Sequence, residues 1–125
     1  MELEDCDITS QSLTCVAIHD GADPRLRGNR IHDGKQDGVF VYDSGQGVLE
    51  DNDIFGNTLS GVEIRKGGNP TLRGNRINNN DYWAVWVHDG GGGTIEDNDL
   101  SGNALGAWDV SDDSESNLRR ARNKE

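Results

Sequence analysis

Leu3, Leu26, Leu49, Leu72, Ile95 and Leu118 follow one another at a constant step of 23 residues. A chain that repeats at a short fixed period folds as a stack of equivalent units, each burying its apolar side against the next. Five positions further along stand Ile8, Ile31, Ile54, Ile77 and Leu100. Three residues after the first set come Cys6, Asn29, Asn52, Asn75, Asn98 and Ala121, so that only the terminal copies depart from Asn. The unit is too short for the helical repeats, which need roughly 33 residues or more. Leu49-Glu50-Asp51-Asn52-Asp53-Ile54 also lacks the Leu-x-x-Leu-x-Leu strand of leucine-rich repeats of comparable length.

A second strand opens in each unit at Gly38, Gly61, Ala84 and Ala107 and runs on as Val39-Phe40-Val41, Val62-Glu63-Ile64 and Val85-Trp86-Val87. That alternation has period two, the mark of strands with one buried face. Coiling each unit onto the last sets equivalent residues about 4.8 Å apart, at parallel-strand spacing. Aliphatic residues then form interior columns, and Asn29, Asn52, Asn75 and Asn98 form an amide ladder in which donors and acceptors satisfy one another. The pattern predicts an all-β, right-handed parallel β-helix of about five 23-residue coils, a single domain over residues 1–125 with three short parallel sheets and glycines at the corners.

A finer regularity runs through the charges. Successive units alternate between Leu-Glu-Asp-Asn-Asp-Ile and Leu-Arg-Gly-Asn-Arg-Ile, which gives one column Glu4, Arg27, Glu50, Arg73, Glu96, Arg119 and another Asp7, Arg30, Asp53, Arg76, Asp99, Arg122. In a parallel stack each charge lies between two of opposite sign, each pair contributing about 0.2–1 kcal/mol. Six of the twelve basic residues are thereby assigned to structure. Asp37 lies outside both columns and is expected to be a replaceable surface residue.

Composition excludes several functions. With 23 acidic residues against 12 basic ones the formal charge is −11, and such a surface repels phosphate backbones and anionic headgroups. Neither nucleic acid nor a membrane is an expected partner, and no stretch approaches the roughly 20 apolar residues of a membrane span. The acidic start, Met-Glu-Leu-Glu-Asp, lacks the pattern of a signal peptide. The expectation is a cytosolic chain, or a segment whose targeting sequence lies elsewhere. Cys6 and Cys15 have neither metal-ligand nor disulfide-framework spacing and read as two free, partly buried thiols.

Motifs for chemistry fail on inspection. Asp97-Asn98-Asp99-Leu100-Ser101-Gly102 resembles the start of a calcium-binding EF-hand loop, but Trp108 stands where the bidentate Glu is needed. Gly90-Gly91-Gly92-Gly93 lacks the Asp that calcium-binding glycine-rich repeats place two residues later, Ile95 being there instead. His19, His32 and His88 lack any HExxH-type spacing, and His19 and His88, which share a repeat position, lie three coils apart, roughly 14 Å, too far for one metal. No Ser, Cys or Thr is marked as a nucleophile. The expectation is no catalytic residue, no metal site and no cofactor.

If Val39, Val41, Val62, Ile64, Val85 and Val87 point inward, the outward residues of that strand are Phe40 with Tyr42, Glu63 with Arg65, and Trp86 with His88. Aromatic rings flanking charge over consecutive coils are the material of peptide- and sugar-binding surfaces. These six residues are the candidate binding site, with a protein segment or glycan lying along the axis. Phe40 and Trp86 are expected to stack on it and Arg65 to meet a carboxylate or carbonyl. The negative charge favours a protein segment over an acidic polysaccharide. Glu63 beside Arg65 reads as a salt bridge.

The unit Gly61-Val62-Glu63-Ile64-Arg65-Lys66-Gly67-Gly68-Asn69-Pro70-Thr71-Leu72-Arg73-Gly74-Asn75-Arg76-Ile77 resembles the consensus of right-handed parallel β-helix repeat domains, the CASH domains of carbohydrate-binding proteins and sugar hydrolases. It is similar to the β-helix of F-box-only ubiquitin-ligase receptors and of bacterial repeat proteins. The resemblance implies the fold over nearly the whole chain. It implies less about function, since the fold carries pectate lyases, uronan epimerases and non-catalytic binding arrays alike. The calcium-binding carboxylate cluster with an Arg or Lys base of the lyases is missing here, as is the Tyr, Asp and His motif of the epimerases. The leading expectation is therefore a non-catalytic recognition or scaffold domain, and the alternative is a fragment of a carbohydrate-active enzyme: lyase, epimerase or hydrolase. Towards Asn117-Leu118-Arg119-Arg120-Ala121-Arg122 the pattern decays without an evident cap, and solenoid ends need covering. Either the segment belongs to a longer array or its ends self-associate between molecules.

Overall fold

The computed structural model describes residues 2–125, which wind as a parallel solenoid whose three faces are three sheets. The first sheet stacks β1 (Glu2–Glu4), β4 (Arg25–Arg27), β7 (Val48–Glu50), β10 (Thr71–Arg73), β13 (Gly93–Glu96) and β15 (Leu118–Ala121). The second stacks β2 (Asp7–Ile8), β5 (Arg30–His32), β8 (Asp53–Phe55) and β11 (Arg76–Asn78). The third stacks β3 (Val16–Ile18), β6 (Val39–Val41), β9 (Val62–Ile64), β12 (Trp83–Val87) and β14 (Gly106–Val110). Every strand pairs with its equivalent one coil away, and always in parallel.

The interior is the set of columns that the sequence period predicts. Leu26, Leu49, Leu72 and Ile95 form one, Ile31, Ile54, Ile77 and Leu100 a second, and Val39, Val41, Val62, Ile64, Val85 and Val87 line the third wall, all buried. Each fully buried aliphatic side chain contributes about 1.5–3 kcal/mol. The Asn ladder closes one corner. Asn52 Oδ1 accepts from the backbone N–H of Asn29 (2.9 Å) and from its Nδ2 (3.1 Å), while Asn52 Nδ2 donates to Leu26 O and to Asn75 Oδ1. A second ladder at the next corner was not read from the sequence. Asn57, Asn80 and Asn103 repeat the same bonds at the same step of 23, and Gly34 holds the preceding place.

The corners alternate in a way that matches the charges. Asp5, Asp51 and Asp97 have positive φ, as do Gly28 and Gly74 between them. A Cβ on Gly28 would lie 2.6 Å from Asp5 Oδ1, and one on Gly74 2.6 Å from Asp51 Oδ1. The carboxylate of one coil therefore occupies the space that a side chain would need in the next, and the left-handed backbone adds to the case for glycine.

Two expectations need correction. The step of 23 fails in the last coil. Val87 pairs with Val110, still 23 apart, but Gly93 pairs with Leu118 and Ile95 with Arg120, 25 apart. The five residues 88–92 are answered by seven, 111–117, which include the 3₁₀ turn Glu115–Asn117. Asn123, not Ala121, completes the Asn ladder, accepting from Asn98 N and Nδ2. Arg119 consequently faces Thr94, Lys124 faces Asp99, and Arg122 binds Glu96 and Asp97. Arg120 rests its guanidinium 4.9 Å from the Trp108 ring, held by both carboxylate oxygens of Glu115.

The charged columns keep their register through the first five coils, but contact is selective. Asp7 pairs with Arg30 and Asp53 with Arg76, as expected. Glu50, level with Arg27 and Arg73, is bridged instead by Arg25 Nη2 at 2.9 Å. Both cysteines are free and partly buried; burial pushes the Cys15 thiol up to about 11.

Candidate functional site

The third sheet presents two outward columns in register. On the strands, Ala17, Phe40, Glu63, Trp86 and Asp109 succeed one another. Just past the strand ends His19, Tyr42, Arg65 and His88 do the same, and the coils stay joined there because Tyr42 N donates to Ile18 O, Arg65 N to Val41 O and His88 N to Ile64 O. All six predicted site residues thus lie on one face.

The chemistry of that face differs from expectation. Phe40 stacks on Tyr42 with centroids 4.4 Å apart, Tyr42 on His19 at 5.0 Å, and Trp86 on His88 at 4.2 Å. The rings are half-buried, and each stands against its neighbour with one face already taken. Glu63 and Arg65 form no salt bridge. Glu63, 6% exposed between Phe40 and Trp86, accepts from His88 Nε2 at 2.7 Å. Arg65 Nη2 donates to Asp89 at 3.1 Å, and its buried Nε has no hydrogen-bond partner. The period-two pattern identifies which side chains point outward, but not which of them large neighbours then cover.

Asp37 was missed. It is 2% exposed, its Oδ1 accepting from Ser60 N at 3.1 Å, and it shares a hydrogen bond with Glu63. Burial, then the adjacent Glu63 carboxyl, push its pKa up to about 9. It is not a replaceable surface residue: Lys at this position would put an ammonium in a buried place. The only signal in the sequence was its position, two residues before the buried Val39 in a column whose next member is Ser60. Asp37, Glu63 and His88 form a hydrogen-bonded chain leading from beneath the sheet face to its surface.

A second titratable group lies on the sheet of β2 and β5. His32 binds Asp33 through Nδ1 and Asp7 through Nε2, both at 2.5 Å, and stacks on Phe55 at 4.8 Å. The Asp33 hydrogen bond, helped by Asp7, holds His32 above the usual histidine range, and the His32 hydrogen bond holds Asp7 below the usual carboxylate range. Among the described residues no three His, Cys, Asp or Glu side chains come together as a metal cluster.

Parallel coils in three stacked sheets, joined by amide ladders, define a β-solenoid. The chain belongs to the right-handed β-helix family, whose family model, "right handed beta helix region", matches residues 1–122. No curated protein and no solved structure matches it.

Proposed function

We infer that this β-helix is a non-catalytic recognition or scaffold module that binds an extended protein segment along its third sheet. The observation that carries this reading is the pairing of the rings. Phe40 with Tyr42, and Trp86 with His88, each cover one face of the other, which fixes the rings in place on the sheet. Ring edges carry positive charge and suit carbonyl and carboxylate oxygens. Arg65, at the level between the two pairs, supplies a guanidinium for the same groups. Successive coils offer these contacts at about 4.8 Å, so an extended segment meets one after another.

The test is binding of an array of extended peptides by the parent, Trp86→Ala and Arg65→Ala, with circular dichroism and unfolding midpoints to verify the fold. Weakened capture by both folded variants is expected. Unchanged capture by both would remove the sheet from consideration.

A carbohydrate-active enzyme is the second reading, favoured by one observation: the chain Asp37, Glu63, His88 couples a protonated carboxyl to groups that acid–base chemistry uses. Polygalacturonate or alginate incubated with the protein and calcium would then yield ultraviolet-absorbing unsaturated ends or an altered epimer ratio, lost in Glu63→Gln. We expect neither product.

A further inference from the structure

The exposed large apolar side chains among the described residues are Leu13 at 60%, Tyr82 at 42% and Leu105 at 53%. They do not lie on the sheet face discussed above. All three belong to one column at the step of 23, Leu13, Gln36, Leu59, Tyr82, Leu105, on the corner between the second and third sheets. From Gln36 onward the corner is regular: Leu59 N donates to Gln36 O (3.0 Å), Tyr82 N to Leu59 O (3.1 Å) and Leu105 N to Tyr82 O (2.9 Å), while in the first coil Leu13 O accepts from Lys35 N (3.2 Å). The result is an apolar ridge about 19 Å long, with Leu59 half-buried at its centre and Gln36 its one polar member.

The column beside it reads Ser12, Lys35, Thr58, Asp81, Ala104. Lys35 and Asp81 are its only charges. Both are exposed, and neither makes an ion pair among the described residues. They lie one coil before and one coil after Thr58. A two-fold axis perpendicular to the solenoid and level with Leu59 brings each coil against the coil equally far on the other side of the centre. Leu13 then meets Leu105, Gln36 meets Tyr82, Leu59 meets its own copy, and Lys35 meets Asp81 twice. The parallel alternative sets each coil against its equivalent and leaves both charges without partners.

We propose that this ridge is a self-association surface on which a second copy of the chain packs side by side and antiparallel. The interface is isologous and therefore closes at two. Its narrowness places it among the weak interfaces, below about 1,200 Å² in total. It leaves the third sheet free for a ligand, and it does not depend on what binds there.

Sedimentation equilibrium from about 10 μM to about 1 mM covers the affinities that such an interface implies. A reversible monomer–dimer equilibrium is expected. Lys35→Glu and Asp81→Lys should each weaken it about tenfold or more, because like charges then face each other twice, and the double reversal should restore it. Leu59→Glu, which puts two carboxylates at the axis, should abolish it. Lys35 and Asp81 are exposed, so circular dichroism and unfolding midpoints should be unchanged in the charge variants. A monomer throughout the range would overturn the proposal. So would a double reversal no tighter than the single variants, or an open end-to-end series indifferent to them.

Discussion

Asp37→Asn tests whether a buried proton sets the pH response of this fold. In the folded chain Asp37 is held protonated, its pKa pushed up to about 9 by burial and by Glu63. In the unfolded chain it ionises near 3.9. Folding therefore takes up a proton, and the stability that this group contributes is full below about pH 4 and is lost as pH rises through about 9. The limiting slope is about 1.36 kcal/mol per pH unit, or about 4 kcal/mol between pH 4 and pH 7. Asn retains an oxygen for the Ser60 N–H, offers Glu63 a donor as the protonated carboxyl does, and has no charge to bury. Urea unfolding of parent and variant at pH 4.5, 6, 7 and 8 is the assay. Near-equal midpoints at the lowest pH should diverge with rising pH, until the variant is more stable by up to about 4 kcal/mol at neutrality. Parallel pH profiles would refute the reasoning, since the charge would then cost nothing where it lies.

Three further outcomes follow from contacts already described. Asn52→Ala removes the acceptor of both Asn29 donors and strands Asn75 Oδ1 on one side, and should cost about 3 kcal/mol by denaturant titration with the slope unchanged. Glu50→Lys replaces the partner of Arg25 with a third cation level with Arg27 and Arg73, and should lower stability by about 0.5–2 kcal/mol, an effect that high salt reduces. His32 has a raised pKa, so its contribution is full below about pH 6.5 and is lost as pH rises through its folded value. In the Asp37→Asn background, His32→Gln should flatten what remains of the decline in thermal midpoint between about pH 6 and pH 8.

The interior was legible because a column must repeat its chemistry to stack, and Leu49, Ile54, Asn52 and Val62 all announce themselves at the same step. The last coil was misread for the same reason. Leu118 falls 23 residues after Ile95 by coincidence, and the true marker, Asn123, is displaced by the two residues added between Val110 and Leu118. On the third sheet, alternation identified the outward side chains Phe40, Glu63 and Trp86. It could not show that two rings standing beside Glu63 would bury it, or that Asp37 would reach it from the preceding corner, because neither follows from spacing along the chain. The ridge was overlooked because its members, Leu, Gln, Leu, Tyr and Leu, share a position in the coil rather than an identity.

The alternation of Asp5, Gly28, Asp51, Gly74 and Asp97 at one corner, locked to the alternation of charge in the neighbouring columns, gives the array a parity. Odd and even coils are different parts. Excising residues 48–70 would leave every aliphatic position in register, yet it would set Arg27 against Arg73 and Arg30 against Arg76, and leave two glycines together with no carboxylate between them. Excising two consecutive coils restores the alternation at that corner and in both charged columns. A solenoid built this way lengthens and shortens by pairs of coils, so that its heritable unit is twice its structural one.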